Sequence, residues 1–214
     1  SFSSLYEIHQ VAATLYHSTL FGDRGVEAKK YLLERGLSEK YIKLFKVGFA
    51  PENSKYLLNA IKSKNYNREV LEKSGLFGFS NDEFFDRFRS RIMFPISNSS
   101  GKIIAFGGRV FGTDDPAKYM NSPETPLYRK SEIFYGLNIT REAIRQSGFT
   151  ILVEGYTDLI QLFQAGIKNV VAVSGTAFTD RHVKQIRRFT TKVYLAYDGD
   201  SAGTNAALKA GYTL

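Results

Sequence analysis

Four acidic residues near the end of the sequence have the types and the spacing that metal-dependent chemistry needs. Glu154 and Asp158 belong to the run EGYTD, and Asp198 and Asp200 flank a glycine in the run DGD. Each run directly follows a short apolar segment that is typical of a buried strand. Because open parallel sheets bind ligands at the carboxyl ends of their strands, we expect these carboxylates to converge on one edge of a sheet.

Carboxylates gathered in this way repel one another unless a cation neutralises them. Oxygen ligands without histidine or cysteine favour Mg²⁺ or Mn²⁺ over zinc. A site of this kind can hold the phosphates of a nucleotide, lower the pKa of an attacking hydroxyl and stabilise the pyrophosphate that leaves. The acidic residues therefore predict phosphoryl-transfer chemistry.

Simpler structural roles are open for the same residues. An Asp-Gly-Asp run is most often a surface turn, and Asp158 has the position of a helix N-cap or of an acid in the first helical turn. The placement of both runs after strands of one segment favours the metal site over these alternatives.

The last third of the sequence must supply the elements that position these acids. Its apolar pattern alternates between short continuous segments and amphipathic ones. It predicts strands over 150–153, 170–173 and 192–197 and helices over 158–165, 180–189 and 202–210. Strands alternating with helices indicate an α/β fold with a parallel sheet. The run Ser174-Gly-Thr176 follows the second strand and is expected at the same edge as the acids.

The first 130 residues have a mixed α+β pattern. Helical periodicity dominates residues 1–46, and a hairpin is predicted from strands at 91–96 and 103–106. The paired Gly107 and Gly108 indicate a bulge or a close backbone approach. A loop rich in Pro, Asp, Ser and Thr follows, so we place a domain boundary there. The predicted domains are 1–130 and 131–214.

Composition narrows the class of protein. The chain of 214 residues has a net charge of +8 and no cysteine, and its three histidines show no ligand spacing. A disulfide framework and a thiolate zinc site are therefore excluded within these residues. There is no apolar run long enough for a membrane helix, and we expect a soluble protein of the cytoplasm. The basic charge favours binding to phosphate polyanions.

Three arginines in the middle of the chain alternate with other residues. If Arg87, Arg89 and Arg91 lay on one strand, their guanidinium groups would share a face and could contact phosphates or stack on bases. The alternative is an ordinary solvated strand face.

Taken together, EGYTD and DGD resemble the Toprim domain of primases, topoisomerases and some nucleases. Further segments resemble successive signatures of the bacterial-type replicative DNA primases. They cover nearly the whole chain in order: RGLS (35–38), VGFAP (47–51), DRFRSRIMFPI (86–96), AFGGR (105–109), KYMNSPET (118–125) and IFYGL (133–137).

The resemblance implies a basic N-terminal subdomain followed by a Toprim domain. It implies that Glu154, Asp198 and Asp200 hold the metal, with Asp158 in support. It also implies a basic ridge that guides the template, formed by Arg35, Arg109, Lys118 and Lys130. Asn121, together with Arg87 and Arg89, would lie near the path of the nucleotide or template.

The function implied is template-directed synthesis of short RNA primers. The partners would be a single-stranded DNA template, ribonucleoside triphosphates and the RNA/DNA hybrid product. The resemblance also implies three regions that the 214 residues do not contain. These are an N-terminal cysteine/histidine zinc module, a further acidic cluster after the Toprim helix and a C-terminal region that contacts the replicative helicase.

Two other functions are compatible with the residues alone. Toprim enzymes that cleave DNA strands use a nucleophilic tyrosine, and the 13 tyrosines here do not exclude one by number. A non-catalytic module that holds single-stranded DNA on its basic face is the second alternative.

Overall fold

The computed structural model describes residues 1–197, and these residues form two compact units. The N-terminal unit contains Ser1–Ile96 and Lys102–Tyr128, and the C-terminal unit contains Ser97–Gly101 and the chain from Arg129 onward. Within residues 1–197 there is no helix with the length and apolar character needed to cross a bilayer.

The N-terminal unit combines five α-helices and two short 3₁₀ helices, Asp23–Gly25 and Lys62–Lys64, with an antiparallel sheet and a separate hairpin. Its elements are α1 (Phe2–Leu20), α2 (Val26–Glu34), α3 (Glu39–Leu44), β1 (Gly48–Ala50), α4 (Tyr56–Ala60), α5 (Arg68–Ser74), β2 (Phe77–Ser80), β3 (Glu83–Asp86), β4 (Arg91–Ser97), β5 (Ile103–Val110) and β6 (Tyr119–Asn121). The strand order is β1-β4-β5-β6, and β2 and β3 form the hairpin.

The core of this unit lies between α1 and the sheet. Ile8, Ala12 and Tyr16 recur at helical spacing on one face of α1, and all three are buried. The Tyr16 ring meets the Phe106 ring of β5 edge-to-face, with their centroids 5.6 Å apart. The predicted hairpin of 91–96 and 103–106 is confirmed as β4 and β5.

The prediction of a single strand through Arg87, Arg89 and Arg91 is wrong. β3 ends at Asp86 and β4 begins only at Arg91, because Ser90 takes a left-handed backbone conformation with φ of 49°. The alternation that a strand would impose is interrupted there. The three guanidinium groups consequently have three different environments.

The C-terminal unit has the α/β pattern expected from the sequence. Its elements are α6 (Leu137–Ser147), β7 (Thr150–Val153), α7 (Tyr156–Gln164), β8 (Val170–Ala172), α8 (Asp180–Ile186) and β9 (Val193–Leu195). The strands are parallel in the order β8-β7-β9, with Leu152 of the central strand opposite Val171 and Leu195. The parallel sheet is thus confirmed, while the predicted helix over 202–210 lies outside the described residues.

Candidate metal and nucleic-acid sites

Glu154 lies where the chain leaves the central strand of the C-terminal unit. Beside it, the backbone N–H of Ala196 donates to the Leu152 carbonyl at 2.9 Å, which continues the pairing of β7 with β9. Burial, and after it the negative charge of Glu154, raises the pKa of the Tyr197 phenol to about 12. Glu154 and the residues that directly precede the second acidic run, Ala196 and Tyr197, therefore lie at the same edge of the sheet. Asp198 and Asp200 themselves lie outside the described residues.

The structure brings Glu154 and Asp158 to one cavity of about 300 Å³ at this edge. The cavity is also lined by Gln161 and Leu162 of α7 and by Val153 and Ala196 at the strand ends. Among residues 1–197 its charged lining consists of carboxylates, which suit a hard divalent cation better than zinc. Two carboxylates of the described chain thus face a space that an ion and phosphate oxygens could share.

Asp158 is the third residue of α7, whose N-cap is Gly155. The expected placement in the first helical turn is therefore confirmed, and the positive end of the helix dipole favours a carboxylate there. This placement does not compete with metal binding, because the side chain also lines the cavity. Within residues 1–197, no three His, Cys, Asp or Glu side chains form a cluster that could hold a metal ion.

The residues that follow β8 reach the same edge of the sheet. The backbone N–H of Val173 points to the Val153 carbonyl at 3.4 Å, and Ser174 and Gly175 both have positive φ. Ser174 is buried in this turn. Because β8 is parallel to β7, the 174–176 run lies at the same edge of the sheet as Glu154, as expected.

Two residues of the predicted basic ridge share one aromatic ring in the N-terminal unit. The guanidinium carbon of Arg35 lies 5.9 Å from the centroid of the Tyr31 ring, and that of Arg109 lies 4.9 Å from the same centroid. Lys118 is exposed and precedes Tyr119, the β6 residue that pairs with Arg109 on β5. Three positions of the ridge are therefore neighbours. The fourth, Lys130, is half-buried and belongs to the C-terminal unit.

Arg87 and Asn121 are also brought together in the N-terminal unit. The guanidinium group of Arg87 donates to the Asn121 carbonyl at 3.5 Å, and partial burial lowers the pKa of Arg87. Arg89 instead points to solvent and lies over the Phe85 ring, with 5.7 Å between guanidinium carbon and centroid. Arg87 and Arg89 thus face different surroundings.

Arg91 is a structural residue that the sequence pattern misassigned. Only 1% of it is exposed, and its guanidinium donates to the carbonyls of Gly108 at 3.0 Å and Ala117 at 2.8 Å. It also forms an ion pair with Asp115 at 3.0 Å. A Cβ at Gly108 would stand 2.9 Å from Arg91 Cδ, so the close approach predicted for the paired glycines is confirmed. Arg91 therefore fixes the loop that leads to Lys118.

Comparison with known proteins identifies the family. Residues 15–141 match the family of the N-terminal domain of the DNA primase catalytic core, and residues 148–214 match the Toprim domain. The chain belongs to the DNA primase family. The match over 15–141 distinguishes a primase from the other Toprim enzymes, because it lies in the segments that resemble primases and not in the Toprim domain.

The chain is 42% identical to the DNA primase of Listeria monocytogenes and 41% identical to that of Staphylococcus epidermidis. These alignments cover 99% and 98% of the chain but only 34% and 36% of the two relatives. The chain therefore spans about a third of the length of the curated primases it matches.

Solved primase structures have the same fold. The RNA polymerase domain of Mycobacterium tuberculosis primase DnaG matches with a TM-score of 0.92 and 36% identity, over 98% of this chain and 71% of that one. The DnaG primase catalytic domain bound to single-stranded DNA matches with a TM-score of 0.90 and 39% identity, over 99% of this chain and 66% of that one. A structure of the Aquifex aeolicus primase, similar with a TM-score of 0.90 and 37% identity over 99% of this chain and 52% of that one, includes a zinc-binding domain. The predicted family and fold class are confirmed.

Proposed function

We propose that this chain is part of the catalytic core of a DNA primase and takes part in the synthesis of short RNA primers on single-stranded DNA. The observation that carries the proposal is the shared cavity of Glu154 and Asp158 at the carboxyl edge of a parallel sheet, in a chain of the primase family. This is the edge at which open α/β sheets bind their ligands.

Glu154, Asp198 and Asp200 are the proposed ligands of Mg²⁺ or Mn²⁺, with Asp158 in support. Bound there, a divalent ion would neutralise the triphosphate and lower the pKa of the attacking 3′-hydroxyl. The two carboxylates that line the cavity, Glu154 and Asp158, support this assignment. The protein groups would orient the α-phosphate of the incoming nucleotide for in-line attack and release of pyrophosphate.

The basic residues are proposed to hold the template and the nucleotide. Arg35, Arg109, Lys118 and Lys130 would contact template phosphates, because such contacts provide most of the sequence-independent affinity for DNA. Arg87 and Asn121, which contact each other, would lie near the nucleotide or template path, with Arg89 beside it. The overall charge of +8 supports binding to a polyanion.

The partners follow from the same assignment. A related primase domain binds single-stranded DNA, and we extend this partner to the present chain, together with ribonucleoside triphosphates and the RNA/DNA hybrid. A zinc module and a helicase contact are proposed for the parts of the protein beyond these residues. We also propose that the protein is cytoplasmic, as a replication enzyme of bacteria would be, since the related primases come from bacteria.

The direct test is primer synthesis by the whole protein on single-stranded DNA with ribonucleotides and Mg²⁺. We expect Glu154→Gln and Asp198→Asn each to lower the rate by about a hundredfold or more, because each removes a charge that stabilises the transition state. Glu142→Gln is the matched control, since Glu142 is exposed in the same unit and pairs with Arg145. Full activity of the Asp198→Asn protein would refute the metal assignment.

Assays on the wild-type protein also distinguish primer synthesis from mere binding of single-stranded DNA. If the wild-type protein binds single-stranded DNA but shows neither metal-dependent nucleotide binding nor primer synthesis, the chain is a binding module and the catalytic proposal fails. A covalent protein–DNA adduct trapped by denaturant would instead indicate strand cleavage.

A further inference from the structure

The Tyr31 ring in the N-terminal unit contacts two arginines of the basic ridge, and the proposed function gives Tyr31 no role. It lies on the last turns of α2, four residues before Arg35, so the two side chains lie on the same face of the helix. Arg109 reaches the same ring from β5, a strand far away in the sequence. One ring therefore meets two arginines of the basic ridge.

The ring itself is held firmly from the protein side. Tyr31 packs on Phe111 at a centroid distance of 5.5 Å, and Phe111 packs edge-to-face on Phe49 at 6.0 Å. Phe49 belongs to β1 and is buried, and the backbone N–H of Phe111 donates to the Ser90 carbonyl at 2.9 Å. This series of aromatic contacts ties the Tyr31 ring to the core of the unit.

The contact of both guanidinium groups with the Tyr31 ring has an electrostatic consequence. Two guanidinium groups close to one another repel, and each long side chain loses rotamer freedom when it is fixed. The negative face of an aromatic ring attracts both cations and restricts their orientations. Arginines held in this way are organised before a nucleic-acid strand arrives, so less ordering entropy is lost on binding.

We propose that Tyr31 is a positioning residue of the basic ridge, which holds the guanidinium groups of Arg35 and Arg109 ready for neighbouring phosphates of one single strand. The inference rests on the proposed function, because it assumes that these two arginines contact the template. Tyr31 acts through them and makes no contact of its own with the DNA.

The test is the affinity of the whole protein for a short fluorescently labelled single strand of DNA. Tyr31→Phe keeps the ring and is expected to bind like the wild type. Tyr31→Leu removes the ring and is expected to weaken binding about three- to tenfold. Phe21→Leu is the matched control, because the Phe21 ring also faces two cations, Lys29 and Lys43, which lie outside the ridge. The control is expected to bind like the wild type.

A second series avoids any effect of ring removal on folding. Phenylalanines with an increasing number of fluorines at position 31 keep the shape of the ring and progressively weaken its attraction for cations. We expect the DNA affinity to fall steadily with fluorination, while thermal unfolding stays unchanged. An affinity that does not respond to fluorination would overturn the proposal.

The double variant Arg35→Gln/Arg109→Gln separates this proposal from the function on which it rests. Adding Tyr31→Leu to that double variant should cause no further loss of affinity, since the ring then has no cations to hold. A further loss would show direct contact of Tyr31 with DNA and refute the positioning role. If the double variant weakens binding but Tyr31→Leu does not, only the positioning role fails. If the double variant binds as tightly as the wild type, the template ridge fails as well.

Discussion

A Cβ atom on Gly155 would stand 3.0 Å from Oδ2 of Asp158, so the carboxylate of Asp158 lies directly against the backbone of Gly155. Gly155 itself has an extended backbone, with φ of −114° and ψ of 161°, which any residue can adopt. A side chain at position 155 would therefore displace the Asp158 carboxylate, whereas the backbone conformation places no demand for glycine.

Gly155→Ala should consequently impair chemistry more than folding. The added methyl group forces the Asp158 carboxylate away from its position in the cavity, and small displacements of groups at an active site are costly. We expect primer synthesis to fall about tenfold or more, while the free energy of unfolding changes by less than about 1 kcal/mol. Initial rates and denaturant melts measure the two effects. Unchanged rates for Gly155→Ala would show that the position of Asp158 is unimportant.

Removal of the Arg91 guanidinium should destabilise the N-terminal unit strongly. Arg91→Met leaves the buried carbonyls of Gly108 and Ala117 without their donor and breaks the ion pair with Asp115. We expect a loss of about 3 kcal/mol or more in urea unfolding. Asp115→Asn is the comparison, and it should cost less than Arg91→Met because the Asn amide oxygen can still accept a hydrogen bond from the Arg91 guanidinium. Equal losses in the two variants would contradict a dominant role for the carbonyl contacts.

His182 should make the C-terminal unit less stable in mild acid. Burial lowers its pKa from 6.5 to about 4, and its Nδ1 accepts a hydrogen bond from the Thr179 backbone N–H at 3.1 Å. Between about pH 4 and 6.5, the unfolded chain therefore binds more protons at His182 than the folded protein does. Stability therefore falls as the pH is lowered, by roughly 2 kcal/mol between about pH 7 and 5.

His182→Gln removes this titration and serves as the reference in chemical denaturation at each pH. The wild-type protein should lose more stability on acidification than the variant does. Parallel pH profiles of the two proteins would disprove the assignment.

Asp86 should have the opposite dependence on pH. Its buried carboxylate accepts hydrogen bonds from the backbone N–H groups of Leu57 at 2.7 Å and Leu58 at 3.1 Å, at the start of α4. Burial raises its pKa from 3.8 to about 6, although these two hydrogen bonds oppose the shift. Between pH 3.8 and about 6, the folded protein thus binds more protons at Asp86 than the unfolded chain does. Stability therefore falls as the pH rises through this interval.

Relative to Asp86→Asn, the wild-type protein should lose roughly 2 kcal/mol between about pH 4 and 7. The measurement is the difference between the unfolding free energies of the two proteins across this range. A difference that stays constant with pH would show that the Asp86 carboxylate titrates normally.

Much of the fold was predictable from local pattern. The strand at 150–153 and the helix at 180–189 were expected from apolar periodicity, and they occur as Thr150–Val153 and Asp180–Ile186. The convergence of the chain after β7 and β9 was predictable too, since parallel strands of one sheet end at the same edge. The interruption of the strand between Asp86 and Arg91 was not predictable, because the left-handed conformation of Ser90 leaves no signature in hydrophobic alternation.

The family, the parallel α/β pattern and the order of the acidic runs are evident from the order of residues, because each depends on residues close together along the chain. The burial of Arg91 against Ala117 and the contact of Tyr31 with Arg109 became visible only in the folded chain. Tyr31 could have been paired with Arg35 from their four-residue helical spacing, but nothing local indicates Arg109. Such contacts join residues on separate elements, and they form only when a sheet and its covering helices pack against one another.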